Sequence, residues 1–298
     1  LAGQDIEKLN TPNWLWESWV KNYGEETTRK IAAAHLLQPS LDLSFISDAE
    51  AWVQKLGAQI LPTGGLRLTS PTSVPELEGF NDGAWWVQDA AASLPAQLFG
   101  SDLTGKKIAD ICAAPGGKTA QLLAVGAEVI ALDRSEKRLQ TLTENLARLS
   151  LKAETICADA GEWRPDTLLD GVLLDAPCSA TGTIRRHPDV AYLKRESDVS
   201  NAHQAQMRLL NAAAEMVKPD GQIVFATCSL QPQEGPDVIE GFLDAHPDWQ
   251  RTPLGRDEIA GTSDFITEIG DLRTLPSHLA EFGGMDGFFA ARLSRKTS

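Results

Sequence analysis

Cysteine is scarce in this chain of 298 residues, and the four that occur, Cys112, Cys157, Cys178 and Cys228, form no close C-x-x-C pair. That spacing excludes a disulfide framework and a zinc ribbon, and no metal is expected. Free thiols suit a reducing, cytoplasmic setting. No apolar run is long enough to span a bilayer, and the polar start Leu1-Ala2-Gly3-Gln4-Asp5 lacks the apolar segment of a signal peptide. The first residue is Leu rather than Met, as in a fragment or a processed chain. No internal repeat or low-complexity tract is present. Positive charge is also short: 27 Lys and Arg against 41 Asp and Glu give a formal net charge of −14. Phosphate binding needs cations, so net charge disfavours a nucleic-acid partner. A local basic groove can still coexist with an acidic exterior. Arg185-Arg186-His187 and Lys194-Arg195 are such clusters, which charge alone reads as a solvated face. What the chain does have is 42% hydrophobic content, ample for one large domain or two smaller ones.

The first part reads as a small α+β unit. Apolar spacing of three and four predicts helices over 14–20 and 25–37, the second blocked by Pro39. Leu41-Asp42-Leu43-Ser44-Phe45 alternates like a strand. Ser47-Asp48 caps a predicted helix that runs through Leu56 and stops at Gly57. Strands over 58–61 and 65–68 then flank Pro62-Thr63-Gly64. The Pro-, Glu- and Gly-rich stretch from Pro71 to Gly83 marks a boundary, dividing the chain into residues 1–78 and 79–298. Beyond it the pattern alternates: a helix over 87–99, a strand over 107–111, a helix from Thr119, and a strand over 128–133. Ser135 caps a helix to Leu149 with Leu139, Leu142 and Leu146 on one face. Strands over 153–158, 171–175 and 222–226 follow, with a helix over 201–217 between the last two. Such alternation predicts an α/β fold with a doubly wound, mostly parallel, Rossmann-like sheet.

In such sheets the ligand sits at the carboxyl ends of the strands. Every chemically interesting residue here falls at such an end: Asp110 to Lys118, Asp133, Asp159, Asp175 to Cys178, and Thr227-Cys228. The turn Ala114-Pro115-Gly116-Gly117 lets backbone amides approach a ligand at a helix start. It is not the dinucleotide fingerprint G-x-G-x-x-G, and the P-loop imitation Gly117-Lys118-Thr119 fails because Cys112 stands where the first glycine belongs. Asp133 is placed to accept from ribose hydroxyls and Asp159 to meet an adenine amino group; taken singly, Asp133 is better explained as a turn residue and Asp159 equally well as a turn aspartate. An adenosine-bearing cofactor without a basic phosphate cradle favours S-adenosylmethionine. Two thiols at strand ends then point to carbon 5 of a cytosine as acceptor. That carbon is a poor nucleophile until a thiolate adds to carbon 6, which is covalent catalysis of the kind cysteine performs. Asp175 is placed to act as acid near ring nitrogen 3. A second thiol would assist release. The bland alternative is that Cys178 and Cys228 are small buried hydrophobes. Cys112 reads as packing or backbone binding and Cys157, inside a strand, as core. Which of Cys178 and Cys228 is the nucleophile, chemistry leaves open.

Three of these motifs, with their neighbours, resemble a known family. Asp110-Ile111-Cys112-Ala113-Ala114-Pro115-Gly116-Gly117-Lys118, Asp175-Ala176-Pro177-Cys178-Ser179-Ala180-Thr181-Gly182 and Ala226-Thr227-Cys228-Ser229 are similar to the RsmB/Sun family of RNA cytosine-5 methyltransferases. Gln88-Asp89-Ala90, Thr183-Ile184-Arg185-Arg186-His187-Pro188-Asp189 and Asp286-Gly287-Phe288-Phe289 match its pattern too, so the likeness runs from about Trp14 to the C-terminus. The resemblance implies S-adenosylmethionine as cofactor, with Cys112, Ala113, Ala114, Pro115, Gly116, Gly117 and Lys118 around its methionine end. It implies Asp133 on the ribose, Asp159 on the adenine, and Asp175 near the methyl and the target base. It assigns the nucleophile to Cys228 and product release to Cys178, and turns Arg185, Arg186 and His187 toward RNA. Residues 1–78 would be a small RNA-recognition-like subdomain of a monomer acting on small-subunit ribosomal RNA. Many members carry a further all-helical, NusB-like domain that these residues do not include. The alternatives are the same chemistry on transfer RNA or another RNA, a nucleotide hydrolase built on Gly117-Lys118-Thr119, and a non-catalytic RNA-binding assembly factor.

Overall fold

The computed structural model describes residues 3–68, 73–259, 261 and 263–296. Leu1, Ala2, Pro71 and Thr72, which open the polar start and the predicted connector, lie outside the described residues. Three helices come first: α1 (Ile6–Leu9), α2 (Asn13–Tyr23) and α3 (Glu25–His35). Gly24, at φ 81°, turns α2 straight into α3, a left-handed conformation that glycine adopts without steric cost. The apolar faces of α2 and α3, through Leu15, Trp19 and Ile31, pack on Ile184, Leu230 and Leu275. Burying each such side chain stabilises the fold by about 1.5–3 kcal/mol.

A small antiparallel sheet follows, made of β1 (Leu41–Phe45), β2 (Gln59–Ile60), β3 (Leu66–Leu68) and β4 (Trp85–Val87), in the order β2-β3-β1-β4. The helix predicted before Gly57 is split into a 3-10 turn, Ala49–Trp52, and the short α4 (Val53–Leu56). Asp48 sits at φ 24° and makes no side-chain cap bond, so the first turn does not start as an α-helix. The helix predicted from residue 87 begins later, as α5 (Ala90–Gln97), because Asp89 caps it and Trp85–Val87 pairs with β1. The small sheet therefore takes its fourth strand from beyond residue 78.

The large sheet holds β5 (Lys107–Ile111), β6 (Glu128–Asp133), β7 (Glu154–Cys157), β8 (Leu169–Asp175), β9 (Val217–Thr227), β10 (Trp249–Arg251), β11 (Leu272–Thr274) and β12 (Phe288–Arg295). Their order is β10-β12-β9-β8-β5-β6-β7, with β11 paired to β12. The five strands from β9 to β7 are parallel, and β12 runs antiparallel to its neighbours. Helices α6 (Gly117–Ala124), α7 (Glu136–Arg148), α8 (Val190–Leu193), α9 (Glu196–Met216) and α10 (Pro236–Ala245) complete the doubly wound α/β architecture. One apolar layer joins Leu209, Leu210, Ala213 and Phe242 to the sheet, and another joins Leu94, Leu98 and Leu122 to it. Register matters more than layers for function. Ile111 pairs with both Leu132 and Leu174, and Leu174 pairs with Phe225. The next residues along these strands, Cys112, Asp133, Asp175 and Ala226, therefore emerge at one edge of the sheet. Cys157 is exposed rather than part of the core, since β7 is the edge strand and pairs on one side only.

Candidate active site

The glycine turn leaves β5 through Cys112, whose φ of 62° already lies in the left-handed region. Gly116 follows at φ 101°, and a Cβ there would stand 2.9 Å from the side chain of Leu142. Conformation and packing thus both call for glycine, and α6 starts at the next residue. Thr119 donates to Asp110 Oδ2 at 2.6 Å, while Asp110 Oδ1 is buried without a partner. Burial pushes the Asp110 carboxyl up to about 7. Burial, with Asp175 and Asp133 nearby, pushes the Cys112 thiol up to about 12, which removes it as a nucleophile. Lys118 is largely buried and gives its ammonium to Asp175 at 2.8 Å, so it is not free to cradle a phosphate.

Three carboxylates face the same cavity. Asp133 ends β6; its Oδ1 accepts the Ser135 N–H at 3.0 Å, and its Oδ2 lies 3.0 Å from Arg138 Nη1 without an aligned hydrogen bond. Asp159 accepts the Gly161 N–H at 2.8 Å and pairs with Arg208 at 2.9 Å. Those contacts, the Gly161 hydrogen bond first, hold its carboxyl below the usual range. Asp175 ends β8. The cavity, about 300 Å³, is lined by these three together with Cys112, Cys178 and Cys228. A second cavity of about 430 Å³, lined by Trp86, Gln88, Asp110, Lys118 and Arg186, meets the first at Asp175.

The two thiols stand 3.4 Å apart, sulfur to sulfur, at the ends of the adjacent strands β8 and β9. Several bonds hold their loops together. Gln206 donates to the Pro177 carbonyl at 2.9 Å, and the Gly182 N–H donates to the Cys228 carbonyl at 2.9 Å. Behind the thiols the buried Glu234 carboxyl accepts from the Ser179 N–H at 2.6 Å, from the Ser179 hydroxyl, and from the Ser229 hydroxyl at 2.5 Å. Cys178 is pushed well above the usual thiol range, first by its hydrogen bond to Cys228 and then by burial. Either sulfur can be the donor of that hydrogen bond.

The family model for 16S rRNA methyltransferase RsmB/F matches residues 102–294. This chain belongs to the RsmB/F methyltransferase family. It is 37% identical over 261 residues to a ribosomal RNA small subunit methyltransferase B from Vibrio cholerae, covering 83% of this chain and 60% of that protein. It is 43% identical over 236 residues to the one from Vibrio vulnificus, covering 78% of this chain and 52% of that protein. The chain thus spans between half and about three-fifths of the length of these relatives. Among solved structures, a methyltransferase homolog from Pyrococcus horikoshii is 28% identical with a TM-score of 0.80, and each chain is covered in full.

One expectation for this RsmB/F chain needs correction. Arg185 does not face RNA: its side chain is buried, 2.7 Å from Asp89 and 3.6 Å from Asp286. Its charge is neutralised inside the protein. Arg186 is partly exposed but also pairs with Asp286, at 2.5 Å, and His187 is exposed. Two residues of the site were not singled out by the sequence. Glu234 lies outside every recognised motif, and Arg208 sits mid-helix on α9 as an ordinary surface cation. A buried glutamate five residues after a Thr-Cys-Ser turn leaves no local signal, because its other partner, Ser179, is 55 residues away.

Proposed function

We propose that this chain transfers a methyl group from S-adenosylmethionine to carbon 5 of a cytosine in small-subunit ribosomal RNA, through a covalent adduct with Cys228. The observation that carries this reading is the thiol pair, 3.4 Å apart in one cavity with Asp133, Asp159 and Asp175. The donor set suits the cofactor. Asp133 Oδ2 is a buried acceptor with no aligned donor, as a ribose hydroxyl would require. The backbone from Cys112 to Lys118 offers close approach at Gly116, and the exposed Asp159 lines the cavity with Asp133. S-adenosylmethionine, when bound, supplies the methyl group as a sulfonium electrophile.

The chain's own residues do the rest. Cys228, as thiolate, adds to carbon 6, forming the C–S bond and leaving carbon 5 electron-rich. Asp175, held by Lys118, orients the base near nitrogen 3. Carbon 5 then carries both a proton and the new methyl. Cys178, 3.4 Å from the Cys228 sulfur, stands beside the adduct. Cys178 passes its thiol proton to solvent and, as thiolate, takes the carbon 5 proton. The C–H electrons re-form the ring double bond as the C–S bond breaks, which returns the Cys228 thiolate. In the same proposal the N-terminal unit, to about residue 78 with β4 closing its sheet, faces the RNA together with His187 and the exposed part of Arg186. RNA containing 5-fluorocytosine tests the reading: fluorine cannot leave carbon 5 as a proton does, so wild-type protein is expected to remain bound covalently. Absence of an adduct with RNA that accepts methyl at carbon 5 would refute the covalent route.

A further inference from the structure

One buried side chain is bonded to both cysteine loops. Glu234 lies in the 3-10 turn Pro232–Glu234 and is completely buried. Its carboxyl accepts from Ser179 and Ser229, each the residue directly after one cysteine. Its main-chain carbonyl accepts from Thr227 Oγ1 at 2.9 Å, the residue directly before Cys228. The two serine hydroxyls also lie 3.3 Å from each other. One side chain therefore braces both cysteine loops from behind. A carboxyl is a costly choice for a buried strut: burial raises its pKa, with the Ser179 and Ser229 bonds opposing that shift. What it offers over apolar packing is direction, since three donors converge on two oxygens.

We propose that Glu234 is a positioning residue that fixes the separation of Cys178 and Cys228. Its consequence for methyl transfer rests on the functional reading above; the separation itself does not. The test oxidises the full chain mildly with diamide, an azo compound that takes up the two thiol hydrogens as the Cys178–Cys228 disulfide forms. Pairing requires the sulfurs to reach about 2 Å. Wild type is expected to pair readily. Glu234→Gln, which keeps the volume but exchanges an acceptor for a donor, is expected to pair about tenfold more slowly, and Glu234→Ala more slowly still. Alkylation of the exposed Cys157 serves as control and is expected to be unchanged. Methyl transfer is expected to fall by about a hundredfold, the scale of a 1 Å misplacement. Should Glu234→Ala not fold, the Ser179→Ala/Ser229→Ala double variant removes the hydroxyl bonds from the other side. Unchanged pairing in the folded variants overturns the proposal. Wild type that pairs its thiols yet forms no adduct with any RNA overturns the functional reading and leaves the positioning role standing.

Discussion

Replacing Cys178 by alanine removes one sulfur from a half-buried site and leaves Cys228 in place. The structure makes the consequence specific. The two sulfurs lie 3.4 Å apart, and the proposed division of labour gives attack on carbon 6 to Cys228 and removal of the carbon 5 proton to Cys178. Cys178→Ala therefore spares addition and methylation and blocks release. A positioned acid–base group is worth about 10²–10⁴ in rate, which is about 3–5 kcal/mol of barrier. Release slowed by that factor becomes the slowest step, and enzyme accumulates on RNA. The assay is a denaturing gel of the protein with unmodified RNA and cofactor, followed by mass analysis of the trapped species. The expected result is one methylated RNA bonded to each Cys178→Ala chain and none to Cys178→Ala/Cys228→Ala. Turnover within a few-fold of wild type without trapped complex would refute the division of labour between the thiols.

Asp133→Ala is expected to weaken S-adenosylmethionine binding by about 10- to 100-fold, the worth of a charge-assisted hydrogen bond at about 1.5–3 kcal/mol; unchanged affinity by calorimetry would remove Asp133 from the ribose. Arg185→Ala is expected to destabilise the fold by about 3–5 kcal/mol in urea titrations, because it takes from the buried Asp89 its nearest cation. His187→Ala is expected to leave stability unchanged, and equal stability for both variants would contradict the buried network. Asp110 adds a pH signature. Its folded pKa of about 7 lies above the ordinary aspartate value of 3.8. Between these values the folded state binds the proton and the unfolded state does not, so its contribution to stability falls as pH rises, by up to about 1.4 kcal/mol per unit. Wild type is expected to lose stability relative to Asp110→Asn from about pH 4 to pH 7 and to run parallel to it above; a difference independent of pH would refute the assignment.

Local pattern carries most of the fold. The apolar runs before Asp110, Asp133 and Asp175 become β5, β6 and β8, and Ser135 caps α7 by accepting the Arg138 N–H. Pattern fails where an element is shorter than its period or where tertiary pairing decides. Trp85–Val87 is three residues long, too few to show alternation, and becomes a strand only because β1 offers an edge. Cys157 reads as core from its neighbours, but its exposure depends on β7 being the last strand of the sheet. Arg185 reads as a basic surface cluster, and only the fold brings Asp89 and Asp286 onto it. The site splits the same way. Residues at strand ends are legible because strand ends are legible, and register then gathers Asp133, Asp175 and the two thiols at one edge. Glu234 was not, because its function lies in two hydroxyls and an N–H supplied by separate loops.

The measurement that bears most directly on the central claim is transfer of a labelled methyl group from S-adenosylmethionine to unmodified small-subunit ribosomal RNA, with wild type and Cys228→Ala side by side and the labelled nucleoside identified by mass. The account predicts label on carbon 5 of cytosine with wild type and none with Cys228→Ala. Equal labelling by Cys228→Ala, or label on any atom other than carbon 5, would contradict it.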